Sequence, residues 1–176
     1  MMSAPGIARL LLAVAVGACA PRTPAVEAAP DSSTAQSGAP GGDSAAVTLE
    51  RTPCFGTCPV YRVSVAPSGA VRFVGTHHVA RQGAATADMG RERVDSLVRA
   101  LEAGGYFGFA DEYVMNAPAC GQYATDSPTV ITSVTAGGRT KRIRHDYGCF
   151  AAPRDLSALE RLIDEAAGTA AWVGGR

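Results

Sequence analysis

Val60-Tyr61-Arg62-Val63-Ser64-Val65, then Pro67-Ser68-Gly69, then Val71-Arg72-Phe73-Val74-Gly75 is the stretch that decides the fold. Alternation in the first run puts Tyr61, Val63 and Val65 on one face of a strand and Arg62 and Ser64 on the other. Pro-Ser-Gly is turn chemistry, and the second apolar run returns. Together they predict a β-hairpin with one apolar face. Upstream, Val47-Thr48-Leu49 is a short apolar strand. Downstream, His77-His78-Val79 is read as a third strand.

Beyond the hairpin the period changes. Val94, Leu97, Val98 and Leu101 recur at i, i+3, i+4 and i+7, with Arg91, Arg93, Arg99 and Glu102 between them. This predicts an amphipathic helix from about Gly90 to Gly104-Gly105. Tyr106, Phe107 and Phe109 follow it and are assigned to the core. The pattern then recurs: a strand over Pro128–Val134, a turn at Gly137-Gly138, and a strand from Arg139 to Tyr147. A helix opens at Arg154 or Asp155, carries Leu156, Leu159, Leu162 and Ile163 on one face, and ends near Gly168. Pro59 and Pro128 stand 69 residues apart, as do the turn glycines Gly69 and Gly138. The predicted class is α+β: an antiparallel sheet built from two hairpin-plus-helix (ββα) units, both helices on one face. The units are either a duplication or alike only in pattern.

Four of the five cysteines, Cys54, Cys58, Cys120 and Cys149, fall within this region. Four cysteines allow three pairings, among which spacing does not choose. The second hairpin favours one of them. Its turn lies near Gly137, so Cys120 and Cys149 both sit beyond its open end. Their bond would close a loop of about 30 residues, worth roughly 3–4 kcal/mol on the chain-entropy account. Cys54 and Cys58 then pair across Phe55-Gly56-Thr57, with Gly56 allowing the bend. Two disulfides imply an oxidising compartment.

The fifth cysteine points the same way. Arg9 precedes Leu10-Leu11-Leu12-Ala13-Val14-Ala15-Val16, long enough for a signal-peptide core and too short to span a bilayer. Val16-Gly17-Ala18-Cys19 fits a lipobox, with an apolar residue at −3 and small ones at −2 and −1. The expectation is a lipoprotein signal peptide over residues 1–18 and acylation at Cys19; the competing reading is an ordinary signal peptide with a chance cysteine. Several acyl chains suffice for stable anchoring. Ala20 in place of Asp after the cysteine favours the outer membrane, facing the periplasm. Residues 19–45 are Ala, Pro, Gly, Ser, Thr and Asp with almost no large apolar side chain, the composition of a disordered tether. Residues 46–176 then form one α+β domain.

Formal net charge is zero, which gives no reason to expect nucleic acid. Arg139, Lys141, Arg142, Arg144 and His145 crowd one strand. They are candidates for holding phosphate or carboxylate groups of an envelope protein, polymer or lipid headgroup. The competing reading is a solvated edge whose charges block sheet-to-sheet pairing. Asp126 and His145, with Asp146 and nearby serines, are the only acid–base candidates. No nucleophile elbow accompanies them, and Asp126 also suits an Asx-turn before Pro128. The Cys54-x-x-x-Cys58 spacing is neither a zinc knuckle nor a redox CxxC. No catalytic residue, metal or cofactor is therefore expected. Trp172 is assigned to packing of the last helix.

Arg51-Thr52-Pro53-Cys54-Phe55-Gly56-Thr57-Cys58-Pro59-Val60-Tyr61 resembles the leading motif of the bacterial family called domain of unknown function 6438. Thr125-Asp126-Ser127-Pro128-Thr129 and His145-Asp146-Tyr147-Gly148-Cys149 resemble it as well. The resemblance covers about Val47 to Val173. It implies one small domain shared by exported or lipid-anchored proteins and carries no activity. The reading reached is a lipid-anchored binding or structural module, with an envelope hydrolase or metal-binding protein using Asp126 and His145 as the alternative.

Overall fold

In a computed structural model, the structure describes residues 46–174. The expected signal peptide, Cys19 and the tether lie outside these residues. Val60–Val65 is strand β2, and its alternation is realised: Tyr61, Val63 and Val65 are buried while Arg62 and Ser64 are only half-buried. It turns at Gly69 into β3, Ala70–His77. Gly69 sits at φ +107°, and a Cβ there would collide with the backbone of Gly90 and the Asp88 carboxylate. Only glycine closes this hairpin against the start of the following helix.

The element ahead of the hairpin turns out to be the centre of the sheet. Strand β1, Val47–Arg51, pairs antiparallel with β2 on one side and with β6, Thr129–Ala136, on the other. β7, Arg139–Asp146, continues outward from β6. β4, Gly83–Asp88, forms one edge beside β3; β5, Glu112–Tyr113, is a two-residue parallel partner of β7 at the other. The sheet is thus seven-stranded, in the order β4-β3-β2-β1-β6-β7-β5.

Two strand expectations are corrected. His77-His78-Val79 is not a third strand: His77 ends β3, and His78 takes a left-handed φ of +52°. The third strand is Gly83–Asp88, whose Gly, Ala and Thr residues carry no apolar alternation and which is held by its ladder to β3. β5 left no sequence signal, because two residues cannot show a period. Four strands, β1 to β4, therefore precede the first helix.

Register places Val47, Leu49, Val63, Val65, Phe73, Val130, Val134 and Ile143 on one face, all essentially inaccessible. Helices cover it. α1, Arg91–Ala103, brings Val94, Leu97 and Leu101 into the same core. α2, Arg154–Ala167, brings Leu156, Leu159 and Ile163. Tyr106, in a 3-10 turn after α1, is fully buried with its hydroxyl 2.7 Å from Thr132 on β6. Phe107 and Phe109 pack only against the core's margin. A last turn of helix, α3 (Ala170–Val173), lays Trp172 on Phe73 at 5.1 Å between ring centroids. Among the described residues no helix is long and apolar enough to cross a membrane.

Leu49 has no exposed surface and sits at the middle of the central strand. Leu49→Ala is expected to cost about 2–5 kcal/mol, the range for emptying a leucine site in a packed core. Urea unfolding should show it as a lower midpoint at an unchanged slope.

Candidate functional site

Two carboxylates one turn apart on α2, Glu160 and Asp164, face the sheet where apolar side chains would serve packing better. Asp164 accepts from Arg51 Nη2 at 2.6 Å and from Arg51 Nε at 3.0 Å, while its other oxygen accepts from the Tyr61 hydroxyl at 2.7 Å. Thr169 Oγ1 adds a bond to that second oxygen at 3.0 Å, tying in the end of α2. Glu160 lies 2.8 Å from His145 Nδ1 and accepts from the Tyr147 hydroxyl at 2.9 Å. Arg51 Nη1 donates to Tyr147 at 3.2 Å and joins the two halves. Side-chain exposure is 4% for His145 and 1% for Glu160, against 16% for Arg51 and 17% for Asp164.

The environment acts on the titrating groups as burial and charge dictate. Desolvation works against the Arg51 charge, but the Asp164 carboxylate and the two tyrosines more than restore it, so its pKa goes up. Burial, and then the Asp164 charge, push the Tyr61 phenol well above its ordinary value. Burial, and then the Glu160 charge, also raise the pKa of the Tyr147 phenol. Every member of the cluster bonds to another member, and no buried side-chain polar atom lacks a partner among the described residues. Chemically, the arrangement holds α2 in place and keeps its phenols protonated.

Beside this cluster, both disulfides close loops at the same end of the sheet. Cys54 bonds to Cys58 and Cys120 to Cys149, the pairing favoured from the hairpin geometry. The loops are laced together. Thr52 N donates to Thr129 O, Thr129 N to Thr52 Oγ1, and Phe55 N to Asp126 O. Asp126 sits at φ +70° with its carboxylate on Thr125. It therefore shapes a turn, and the bonds it makes are separate from those of His145. Asp146 accepts from Gly148 N at 2.8 Å and from the Tyr123 hydroxyl at 3.1 Å, folding the chain back before Cys149. A Cβ on Gly148 would run into the carbonyl of Ala124, so that fold needs glycine.

The three motif segments thus converge on one end of the molecule. The family model for the domain of unknown function DUF6438 matches residues 45–167. The chain belongs to that family. Comparison with curated proteins gives no match. In this DUF6438 domain, Arg51, Tyr61, His145 and Tyr147 belong to the buried cluster, and Thr52, Asp126, Thr129 and Asp146 to the loop lacing. Phe55, 89% exposed, is the large side chain of these segments left in solvent.

The basic strand is divided by its own alternation. Lys141, Ile143 and His145 face the helices; Arg142 and Arg144 face out. Lys141 Nζ lies 2.5 Å from Asp111, Arg144 lies 3.1 Å from Glu112, and the Arg139 guanidinium stands 4.4 Å over the Phe107 ring. Arg142 is exposed and has no acidic partner among the described residues. It ends an outward row of Arg72, Ser64, Thr48, Ser133 and Arg142 across the sheet. With Lys141, Arg144, Thr140, Asp111 and Glu112 it lines a shallow hollow of about 440 Å³ at the β7 edge. No three His, Cys, Asp or Glu side chains gather for a metal among the described residues.

Glu160 and Asp164 were missed because they read as the wet side of an amphipathic helix. Glu160 nonetheless lies four residues after Leu156 and three before Ile163, inside the apolar stripe. An acid at such a position is the signal for a buried polar partner.

Two outcomes follow. Asp164→Ala leaves the Arg51 charge without its counter-charge and the Tyr61 phenol proton without its acceptor, and is expected to cost about 3–5 kcal/mol in denaturant unfolding. Alkaline titration should show tyrosine ionisation displaced upward in the folded protein, because Tyr61, Tyr106 and Tyr147 all have raised pKa values. The unfolded chain loses these protons near pH 10. Their contribution to stability is complete below that pH and disappears as pH climbs through the folded values.

Proposed function

We propose that this protein is a lipid-anchored module of the bacterial cell envelope that binds anionic groups through β7 and is not an enzyme. The observation that carries this reading is Arg142, exposed and without an acidic partner among the described residues, beside the partly neutralised Lys141 and Arg144 in the hollow at the β7 edge. A phosphate or carboxylate there would gain a charge-assisted hydrogen bond without first breaking an ion pair. The cluster around His145 supports the non-catalytic part: Glu160 holds the imidazole, and among the described residues no serine, threonine or thiol bonds to it. Two disulfides support an oxidising envelope compartment. The lipobox at Cys19 supports anchoring through a signal peptide removed after residue 18, in the outer membrane with the domain toward the periplasm. We also read β2–β3 with α1, and β6–β7 with α2, as two hairpin-plus-helix units. The matching spacings of Pro59 and Pro128 and of Gly69 and Gly138 support that reading.

Anchoring is tested by metabolic labelling with a fatty acid: the wild-type chain should carry the label and Cys19→Ser should not. Binding is tested with polyphosphate as probe. Affinity should fall with added salt and drop about tenfold or more in Arg142→Ala, one charge-assisted hydrogen bond's worth. Arg72→Ala, at the far end of the same row, should leave it unchanged. Equal loss in both variants would reduce the hollow to diffuse surface charge.

A further inference from the structure

The two edges of the sheet are guarded very differently. On the β7 side, β5 covers Arg144 and His145, and Arg139, Lys141 and Arg142 present charge along the rest. Lysine and arginine on an edge discourage further strand pairing. On the other side, β4 reads Gly83-Ala84-Ala85-Thr86-Ala87-Asp88 and is exposed along nearly its whole length. It holds no proline and one charge, at its end. Its ladder to β3 runs without a register shift, so no bulge bends it away.

The direction of its backbone groups can be worked out. Met89 N donates to Gly69 O, so odd-numbered residues of β4 bond inward to β3. Ala66 N donating to Ala70 O agrees, since it turns the even residues of β3 toward β2. The N–H and C=O groups of Ala84, Thr86 and Asp88 therefore point away from the sheet. Among the described residues one of them has a partner: Ala84 O accepts from Arg81 Nη2 at 3.3 Å.

We infer that β4 is a self-association edge, taking the β4 strand of a second copy of this chain in antiparallel pairing. The two strands are complementary about a two-fold axis at Thr86. In that register Thr86 opposes Thr86 and Ala84 opposes Asp88, so every outward N–H and C=O finds a partner. Like charges are never directly opposite. The side chains that meet are methyls, hydroxyls and one carboxylate from each copy, small enough for strand-to-strand approach without clash. Because paired positions have the same parity, the apolar face of one sheet continues into that of the other. An isologous contact of this kind closes after two copies. A strand ladder alone is a modest contact, so the pair is a reversible one. This inference is independent of the β7 hollow.

Cysteine trapping in the exported full chain tests it. Thr86→Cys places two thiols opposite each other and should give a covalent dimer on non-reducing gels, at least tenfold above Thr135→Cys, an exposed position on the interior strand β6. Chains carrying Ala84→Cys and Asp88→Cys, co-expressed, should cross-link to each other more than either does alone. Both substitutions fall on an exposed edge, and a melting temperature within a few degrees of wild type confirms the fold. Cross-linking of Thr86→Cys no stronger than Thr135→Cys would overturn the inference. Trapping by Thr86→Cys without the Ala84–Asp88 preference would overturn the register and leave no two-fold at Thr86.

Discussion

A single turn of α2 decides how this domain is held together. Glu160 and Asp164, four residues apart, reach down to the sheet: Asp164 to β1 and β2 through Arg51 and Tyr61, Glu160 to His145 and Tyr147 at the end of β7. Apolar burial alone would let a helix slide or rotate over a flat sheet at little cost, because dispersion and hydrophobic forces have no direction. Carboxylates removed from water are intolerant of misplacement, since each lost partner leaves a buried charge uncompensated. The helix can therefore sit in only one register. Its neighbours inherit that register, through Leu159 against Gly104 at the end of α1 and through Thr169 at the start of α3.

The disulfide end follows from the same constraint. Arg51 is the last residue of β1 and Tyr147 follows β7, so the cluster sits where the strands give way to loops. Those loops bury few large apolar side chains; their order comes instead from covalent closure and from backbone bonds such as Thr52 to Thr129 and Ala124 to Gly148. Chain-entropy restriction does there what a core does in the middle of the sheet. Phe55, Phe150 and Met115, the exposed large apolar residues among those described, all lie in this loop region.

Charge on this protein serves geometry first. Five basic residues on β7 look like a patch when read along the chain, yet alternation sends them to two faces. Asp111, Glu112, Glu160 and the Phe107 ring occupy four of them. Arg142 is what remains. A linear cluster of like charges thus overstates a binding surface whenever a strand splits it and neighbouring segments supply counter-charges.

The hairpin over Val60–Gly75, the second hairpin, both long helices and the disulfide pairing were legible in the chain, because each rests on contacts near in sequence. Period, turn residues and loop closure act locally. The place of β1 at the centre, the edge strand Gly83–Asp88, the two-residue β5 and the Glu160–Asp164 clamp were not. β1 gains its position from partners far along the chain in β6. β4 is a strand only because β3 offers it a ladder, its own residues having little preference for one. Asp164 meets Arg51 across 113 residues of sequence. Local sequence determined which pieces would form and which side of each was apolar. Only tertiary structure decided the strand order and which charges would meet, because pairing and desolvation depend on partners that sequence distance conceals.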